Sequence, residues 1–262
     1  MRIKHTQHEN YRELIWMLAK TDFKLRYQGS VLGYVWALLK PLLMFSVLYF
    51  VFSSVFNYRN DGTNYFALEL LIGIMMFNFF SEGTNAGLNA LLGKSQLVTK
   101  IYVPRWTIII ASTLNAAMIY VANLAVIVLF FALYKLVPSP ASVGLFVLFS
   151  LSIYVLIVAF SFLMAPLQVL FRDIAMIWEV VSQVLFFATP VMYPLSMMPA
   201  HVQQIMLINP MAFIVHFTKT AFTINHLPDP HQIVLFVATL ALALAIGITV
   251  YRKLTPTIAE KI

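Results

Sequence analysis

Several charged and amide side chains stand inside otherwise apolar stretches of this sequence. A charge at the centre of a bilayer costs at least ~2.5–3.5 kcal/mol, so such groups are expected to face protein or water. They could carry protons or line a path for a polar substrate, but they form no regular ladder of acids and histidines typical of a proton relay. Lys40 could also reach the interface with its long side chain, and both readings stay open. The residues concerned are Lys40, Glu69, Asn78, Glu82, Glu179 and Gln183.

The sequence contains no pattern typical of catalysis, nucleotide binding or metal binding. The stretch Gly87–Ser95 resembles a phosphate-binding loop, but five residues separate its two glycines where the motif requires four. No strand is expected before it, and its Leu/Ala-rich loop would not present backbone N–H groups to phosphate. The six histidines lie in terminal or external segments without ligand spacing. We therefore expect no enzyme activity, no metal site and no cofactor bound by this chain.

Composition indicates an integral membrane protein. The 262 residues are 61% hydrophobic and only 10% charged, with a mean hydropathy of +0.85. A soluble domain is about 25% charged, so this inventory cannot cover a water-facing surface. Composition excludes an ordinary soluble enzyme, a disordered chain and a nucleic-acid-binding domain. Cysteine is absent, so disulfides and thiol chemistry play no part.

Apolar runs predict an all-α polytopic protein with six transmembrane helices, at about 20 residues per crossing. Thirteen Lys and Arg fall on one side of these spans and three on the other. The positive-inside rule then places both termini in the cytoplasm. The predicted organisation is a cytoplasmic N-terminus (1–33), a transmembrane domain (34–251) and a cytoplasmic tail (252–262). The predicted spans are Tyr34–Phe56, Tyr65–Ser81, Trp106–Tyr134, Val143–Phe171, Ile174–Val191 and Ile233–Tyr251.

Three segments are not expected to cross the membrane. Residues 11–27 predict an amphipathic helix in the membrane plane, with Asp22 on its apolar face paired with Arg26 one turn later. Residues 82–105 predict a short helix clear of the bilayer. Prolines interrupt residues 192–230, which favours short re-entrant helices between spans five and six. On pattern alone, lipid anchoring explains the first helix slightly better than contact with a soluble partner does.

Four stretches resemble the membrane subunit of an ABC-2-type polysaccharide exporter, of the kind used for O-antigen, teichoic acid or capsule. They are residues 22–42 (DFKLRYQGSVLGYVWALLKPL), 97–105 (LVTKIYVPR), 170–174 (LFRDI) and 188–199 (ATPVMYPLSMMP), the last followed by Asn209-Pro210-Met211. Their order and spacing cover most of the chain. None of them distinguishes O-antigen from teichoic acid or capsule carriers.

The resemblance implies a homodimer in the cytoplasmic (inner) membrane, with two copies of a separate ABC ATPase that uses ATP and Mg²⁺. The dimer would enclose a channel for an undecaprenyl-linked glycan, and its partners would include membrane lipids but no nucleic acid. Residues 11–27 would rest on the ATPase and 88–100 would insert into it. Residues 192–230 would form an external gate.

The site residues implied by this reading fall into two groups. The expected ATPase-coupling residues are Lys20, Lys24, Arg26, Lys94, Ser95, Gln96, Lys100, Arg172 and Asp173. The expected channel and substrate residues are Tyr34, Trp36, Lys40, Phe77, Phe80, Trp178, Phe187 and Tyr193. Lys24, Arg26 and Lys40 are the candidates to attract the anionic lipid diphosphate head. For any single aromatic, a place in the core or in the interfacial belt is favoured over a channel role.

Two alternatives remain open from the sequence. An ABC-2 permease for a small drug or lipid would have a similar number of helices but a closed apolar vestibule. A membrane scaffold without a substrate would support no partner-dependent ATP hydrolysis. A secondary transporter fits less well, because neither a proton relay nor an obvious inverted repeat is present.

Overall fold

The computed structural model describes residues 11–55, 65–96 and 103–258, which form helices joined by turns. Short 3-10 turns stand at Gly33–Val35 and Leu195–Met197, and a π-helical turn at Val51–Val55 ends the second helix. The helical architecture of the described residues confirms the all-α prediction. The helices are α1 (Tyr11–Tyr27), α2 (Trp36–Phe50), α3 (Phe66–Leu88), α4 (Ala90–Gly93), α5 (Arg105–Leu133), α6 (Pro140–Leu170), α7 (Ile174–Ala188), α8 (Ala200–Ile208), α9 (Pro210–Thr223) and α10 (Pro230–Ile258).

Helix α3 is the centre of the bundle. Its side chains are buried almost continuously from Ala67 to Phe80, against α2, α5, α6, α7 and α9. Small residues let α6 approach closely: a Cβ placed on Gly87 would lie 1.8 Å from Ser161 Oγ. Lipid tails are as apolar as the helices, so close van der Waals packing of this kind holds membrane helices together.

Helix α10 packs along α6 in the same manner. A Cβ on Gly247 would lie 2.3 Å from the backbone oxygen of Ala159, so only glycine fits at this crossing.

Helix α6 has an N-terminal cap formed by residues next to its first turn. The Ser139 hydroxyl accepts a hydrogen bond from Ser142 N, and Pro140 occupies the first helical turn, where its missing N–H costs nothing.

Five of the described helices are long and apolar enough to cross a bilayer: α3, α5, α6, α10, and α2 with its flanking turns. The predicted fifth span, Ile174–Val191, is shorter in the structure. Helix α7 ends at Ala188 because Thr189 is extended and Pro190 has no N–H to continue the ladder. Its 15 residues extend about 22 Å, less than the ~30 Å of bilayer hydrocarbon.

Helices α8 and α9 form a sharply bent pair. Their axes meet at 113° across Asn209, whose side-chain oxygen caps α9 by accepting from Met211 N. Pro210 cannot continue α8 but suits the first turn of α9. The predicted short helices between the last two long segments are therefore present. Counting the bent pair as one span raises the number of candidate spans from five to six.

Candidate functional site

Glu82, near the C-terminal end of α3, joins three helices through its carboxylate. Its Oε1 accepts a hydrogen bond from Lys40 Nζ of α2 at 2.7 Å, and its Oε2 accepts one from the Arg26 guanidinium of α1. The Glu82 side chain is 27% exposed, whereas that of Lys40 is 72% exposed. One carboxylate therefore bridges two cations at the edge of the bundle, and the cation that faces outward is Lys40.

A second ion pair ties α1 to the segment after α4. Lys94 Nζ donates to the Asp22 carboxylate and also, at 3.0 Å, to Ser112 Oγ of α5. The predicted pairing of Asp22 with Arg26 is wrong, because each side chain has a partner on another element. The four-residue spacing places both on one face of α1. That face is packed against the bundle, so contacts with other helices replace the local pair.

The outer face of α1 carries the cations expected to meet a partner. Lys20 and Lys24 are exposed, and Leu14, Ile15 and Leu18 are half-buried toward the bundle, as an amphipathic helix requires. Leu25, near the C-terminal end of α1, is 62% exposed. Trp16 and Met17 are also more than half exposed, so this outer surface combines apolar and basic groups.

Aromatic contacts fix both ends of α1. Tyr11 packs edge-on against Trp106 at the start of α5, with ring centroids 5.7 Å apart. At the other end, Phe23 stacks on Tyr34 with centroids 5.1 Å apart. Burial raises the pKa of the Tyr27 phenol and outweighs the opposing effect of the Arg26 charge, so Tyr27 stays neutral beside the ion pairs. Helix α1 and the start of α2 therefore form one packed unit.

The other predicted coupling residues that the structure describes lie at the same end of the bundle as α1. Arg172 and Asp173 are exposed in the turn between α6 and α7. Ser95 is half-buried and Gln96 is exposed, whereas Lys100 lies outside the described residues. A small apolar cluster supports this end from within and joins α4 to α5 and α6. Its buried members are Ala90, Leu91, Ile108, Ile109, Ala165 and Val169.

The predicted channel residues divide into two groups. Tyr34, Trp36 and Phe187 are exposed on α2 and α7 or beside them, at 54%, 42% and 62%. Tyr193 is half-buried, and its hydroxyl donates to Phe187 O at 2.8 Å; burial raises the pKa of this phenol, which therefore keeps its proton.

Phe77, Phe80 and Trp178 require a correction, because their side chains are 3%, 7% and 8% exposed. Trp178 donates its indole N–H to Thr84 Oγ1 at 3.2 Å and packs against Phe80, which fastens α7 to α3. These three residues belong to the core of the described conformation and contact no passing substrate there. An apolar run with helical spacing looks the same in sequence whether it faces a core or a channel.

Helix α7 exposes polar groups on an otherwise apolar face. Glu179 and Gln183 are exposed one turn apart, among Ile177, Val180 and Val184, each about 60% exposed. A carboxylate facing lipid would be costly, so this face is suited to water or to another protein surface.

The end opposite α1 contains a buried lysine that sequence reasoning placed in an external loop. Lys219 of α9 is 7% exposed, and its ammonium donates to Pro190 O at 2.7 Å and Val191 O at 2.8 Å. It thereby satisfies the carbonyls freed where α7 stops. A cavity of about 370 Å³ lies beside it, lined by Glu69, Tyr193 and further polar side chains.

Sequence reasoning also missed the bridging role of Glu82. In the sequence, Glu82 is visible only as an acid near the end of a predicted span, and the two cations lie far from it along the chain. No spacing rule connects residues 26, 40 and 82. Among the described residues, no group of three or more His, Cys, Asp or Glu side chains could hold a metal ion.

The fold and these contacts define a class: a multi-pass α-helical membrane protein with an amphipathic helix ion-paired to one end of its bundle. Comparison with known families makes this specific. Residues 13–222 match the model of the ABC-2 type transporter family, and the chain belongs to that family. Proteins of this family are the membrane components of ABC transporters, and they work with an ATPase subunit.

Curated relatives align over nearly their whole length. The chain is 24% identical to the O-antigen export system permease protein RfbA of Klebsiella pneumoniae, over 95% of this chain and 94% of the relative. It is 26% identical to the protein of the same name from Myxococcus xanthus, over 96% of both chains. It is 23% identical to the polysialic acid transport protein KpsM of Escherichia coli, over 88% of this chain and 89% of the relative.

Proposed function

We propose that this chain is the permease subunit of an ABC exporter that moves a lipid-linked polysaccharide across the cytoplasmic membrane. The observation that carries the proposal is the end-to-end similarity to permeases named for O-antigen export and polysialic acid transport. The glycan is a cell-surface polysaccharide on a lipid diphosphate carrier of the undecaprenyl type. The exposed aromatic and polar residues of α2 and α7 are consistent with such a cargo.

The functional unit is a homodimer whose channel lies between two copies of the α2 and α7 faces. Trp36 and Phe187 lie on these faces, together with Glu179 and Gln183. Pairing two such faces would remove their apolar side chains from lipid and keep the carboxylate next to water. Sugar C–H faces stack weakly on aromatic rings, and weak repeated contacts suit a polymer that must bind and then leave each position.

The coupling surface is the outer face of α1 together with residues 90–96 and the 172–173 turn. Two copies of a separate ATPase bind here and hydrolyse ATP with Mg²⁺, and this chain supplies no catalytic group of its own. The exposed Lys20 and Lys24 are suited to an acidic partner surface. The Asp22–Lys94 pair transmits motion of the ATPase from one contact segment to the other.

Both termini lie in the cytoplasm in this proposal, because thirteen Lys and Arg fall on that side of the spans. The α8–α9 pair and the Lys219 contacts then lie at the external end, where they form the gate. When the ATPase subunits close, α1 and α4 move with them and shift the packed helices between two discrete arrangements.

A gene deletion with complementation tests the proposal. Cells lacking this chain should lose the surface glycan and accumulate the lipid-linked form inside, and the wild-type gene should restore export. The protein should also co-purify with an ABC ATPase in mild detergent. Unchanged surface glycan together with altered resistance to a drug would favour the small-molecule permease, and the absence of any partner-dependent ATP hydrolysis would favour a scaffold.

A further inference from the structure

We propose that Glu82 is a built-in counter-anion that occupies a phosphate-type anion site formed by Arg26 and Lys40, and that the diphosphate head of the cargo displaces it. The inference rests on the proposed function and deepens it by assigning where the anionic head is read. Arg26 and Lys40 come from different helices and share no other described acidic partner. The Glu82 carboxylate stands between them and pairs with both.

The geometry is that of a clamp around one small anion. Each carboxylate oxygen of Glu82 accepts from a different cation, with 2.7 Å between Oε1 and Lys40 Nζ. The cluster of two cations and one anion has an excess of one positive charge. A diphosphate monoester has more acceptor oxygens and more negative charge than a carboxylate, so it can satisfy both cations more fully.

The exposure of the three side chains gives the direction of approach. Lys40 is 72% exposed, Arg26 39% and Glu82 27%. An anion arriving from outside the bundle therefore meets Lys40 first and the carboxylate last. The site adjoins the exposed α2 face that the proposed channel uses.

A small cavity adjoins the ion cluster. Its volume is about 50 Å³, and it is lined by Asn78, Asn123 and the ion cluster itself. Such a volume suits a few water molecules. The Asn123 side-chain oxygen has no hydrogen-bond partner among the described residues, which fits a hydrated cavity. A diphosphate that contacts both cations therefore competes with the Glu82 carboxylate for them.

Displacement has a consequence for α1. The Arg26–Glu82 bond is the ionic link between α1 and α3, whereas Asp22 holds α1 to Lys94. When the cargo head takes over Arg26, α1 loses its ion pair with α3 but keeps its packing against α5 and its ion pair with Lys94. Loading of the cargo would thus be reported to the surface that meets the ATPase.

The test is a binding experiment in which removing a charge strengthens binding. Full-length chain is purified in mild detergent without its ATPase, so that nucleotide sites cannot bind the probes, and titrated in Mg²⁺-free buffer with farnesyl diphosphate. Because the competing anion is gone, Glu82→Gln should bind the probe roughly tenfold more tightly. Lys40→Gln should bind it roughly tenfold more weakly. Glu13→Gln, which removes an exposed carboxylate of α1 that lies outside the cluster, should bind it as wild type does.

Further probes identify the source of the anion. If Glu82→Gln binds both inorganic pyrophosphate and farnesyl diphosphate more tightly than wild type, the site recognises the anion alone. If it binds only farnesyl diphosphate more tightly, the site recognises a lipid headgroup. Either result supports the proposal. Equal or weaker binding by a monodisperse Glu82→Gln protein would overturn it, as would the same gain with farnesol or with phosphatidylglycerol micelles. An equal gain in Glu13→Gln would also overturn it. Unchanged surface glycan in cells that lack this chain, with the tighter binding intact, would refute the proposed function alone.

Discussion

The ion pair between Asp22 and Lys94 gives the sharpest test of how α1 is coupled to the segment after α4. Both side chains are mostly buried, at 24% and 21% exposed, so water screens the pair less than it would a surface pair. Asp22→Lys would place two ammonium groups at the same contact. Lys94 would keep its Ser112 bond at 3.0 Å but lose its only described carboxylate partner.

The size of the effect follows from these contacts. A hydrogen bond to a charged group contributes about 1.5–3 kcal/mol, and like charges in contact add a further repulsive energy on the order of 1 kcal/mol. A total of about 3 kcal/mol lowers the equilibrium ratio of docked to undocked α1 by roughly a hundredfold. Export should therefore fall by at least tenfold while the ATPase still hydrolyses ATP.

A charge swap provides the control. Asp22→Lys with Lys94→Glu restores opposite charges, and the new carboxylate can still accept a hydrogen bond from the Ser112 hydroxyl. Glycan export and ATP hydrolysis are measured together in proteoliposomes for the two single variants and the swap. Wild-type export by both single variants, or a swap no better than either, would refute the coupling role of this pair.

Three further outcomes are expected. Gly247→Ala should destabilise the chain by about 1–3 kcal/mol, because the new Cβ would lie 2.3 Å from the α6 backbone. The control Gly144→Ala has nothing within 4 Å of its Cβ and should be neutral or stabilising by up to ~1 kcal/mol. Thermal unfolding in detergent compares the two variants, and equal melting temperatures would contradict the packing. Lys219→Met should cost about 1–3 kcal/mol by leaving two buried carbonyl oxygens unpaired, and unchanged unfolding would show that other donors replace it. Glu179→Leu should preserve folding but reduce export severalfold if its face borders the aqueous path; a fully active variant would place that face elsewhere.

Hydrophobic periodicity and prolines were sufficient to predict most of the fold. The long apolar runs predict helices α2, α3, α5, α6 and α10, and the prolines of residues 192–230 predict the short helices α8 and α9. The length of α7 was overestimated because an apolar run continues through Pro190 to Val191, although the helix cannot. Hydropathy measures composition, and chain geometry decides where a helix ends.

The candidate site was less predictable, because its contacts join residues far apart in sequence. Local spacing favoured Asp22 with Arg26, but packing of α1 against the bundle gave each of them a distant partner. Burial of Phe77 and Trp178 depends on which face of each helix meets α3, and an apolar helix gives no polar face from which to read this. Periodicity is informative only where the two sides of a helix differ.

Helix α1 is held by two ion pairs near its C-terminal end, so a small shift at one of them is amplified along the helix. Asp22 and Arg26 are separated by about 6 Å along the helix axis, and Tyr11 lies about 16 Å beyond Asp22. If the Arg26 attachment yields while Asp22 holds, the helix pivots about Asp22, and a displacement of about 1 Å at Arg26 becomes about 3 Å at the far tip. A displacement of about 1 Å at Arg26 would then reach the far end of α1 as a movement large enough to break the contact between Tyr11 and Trp106.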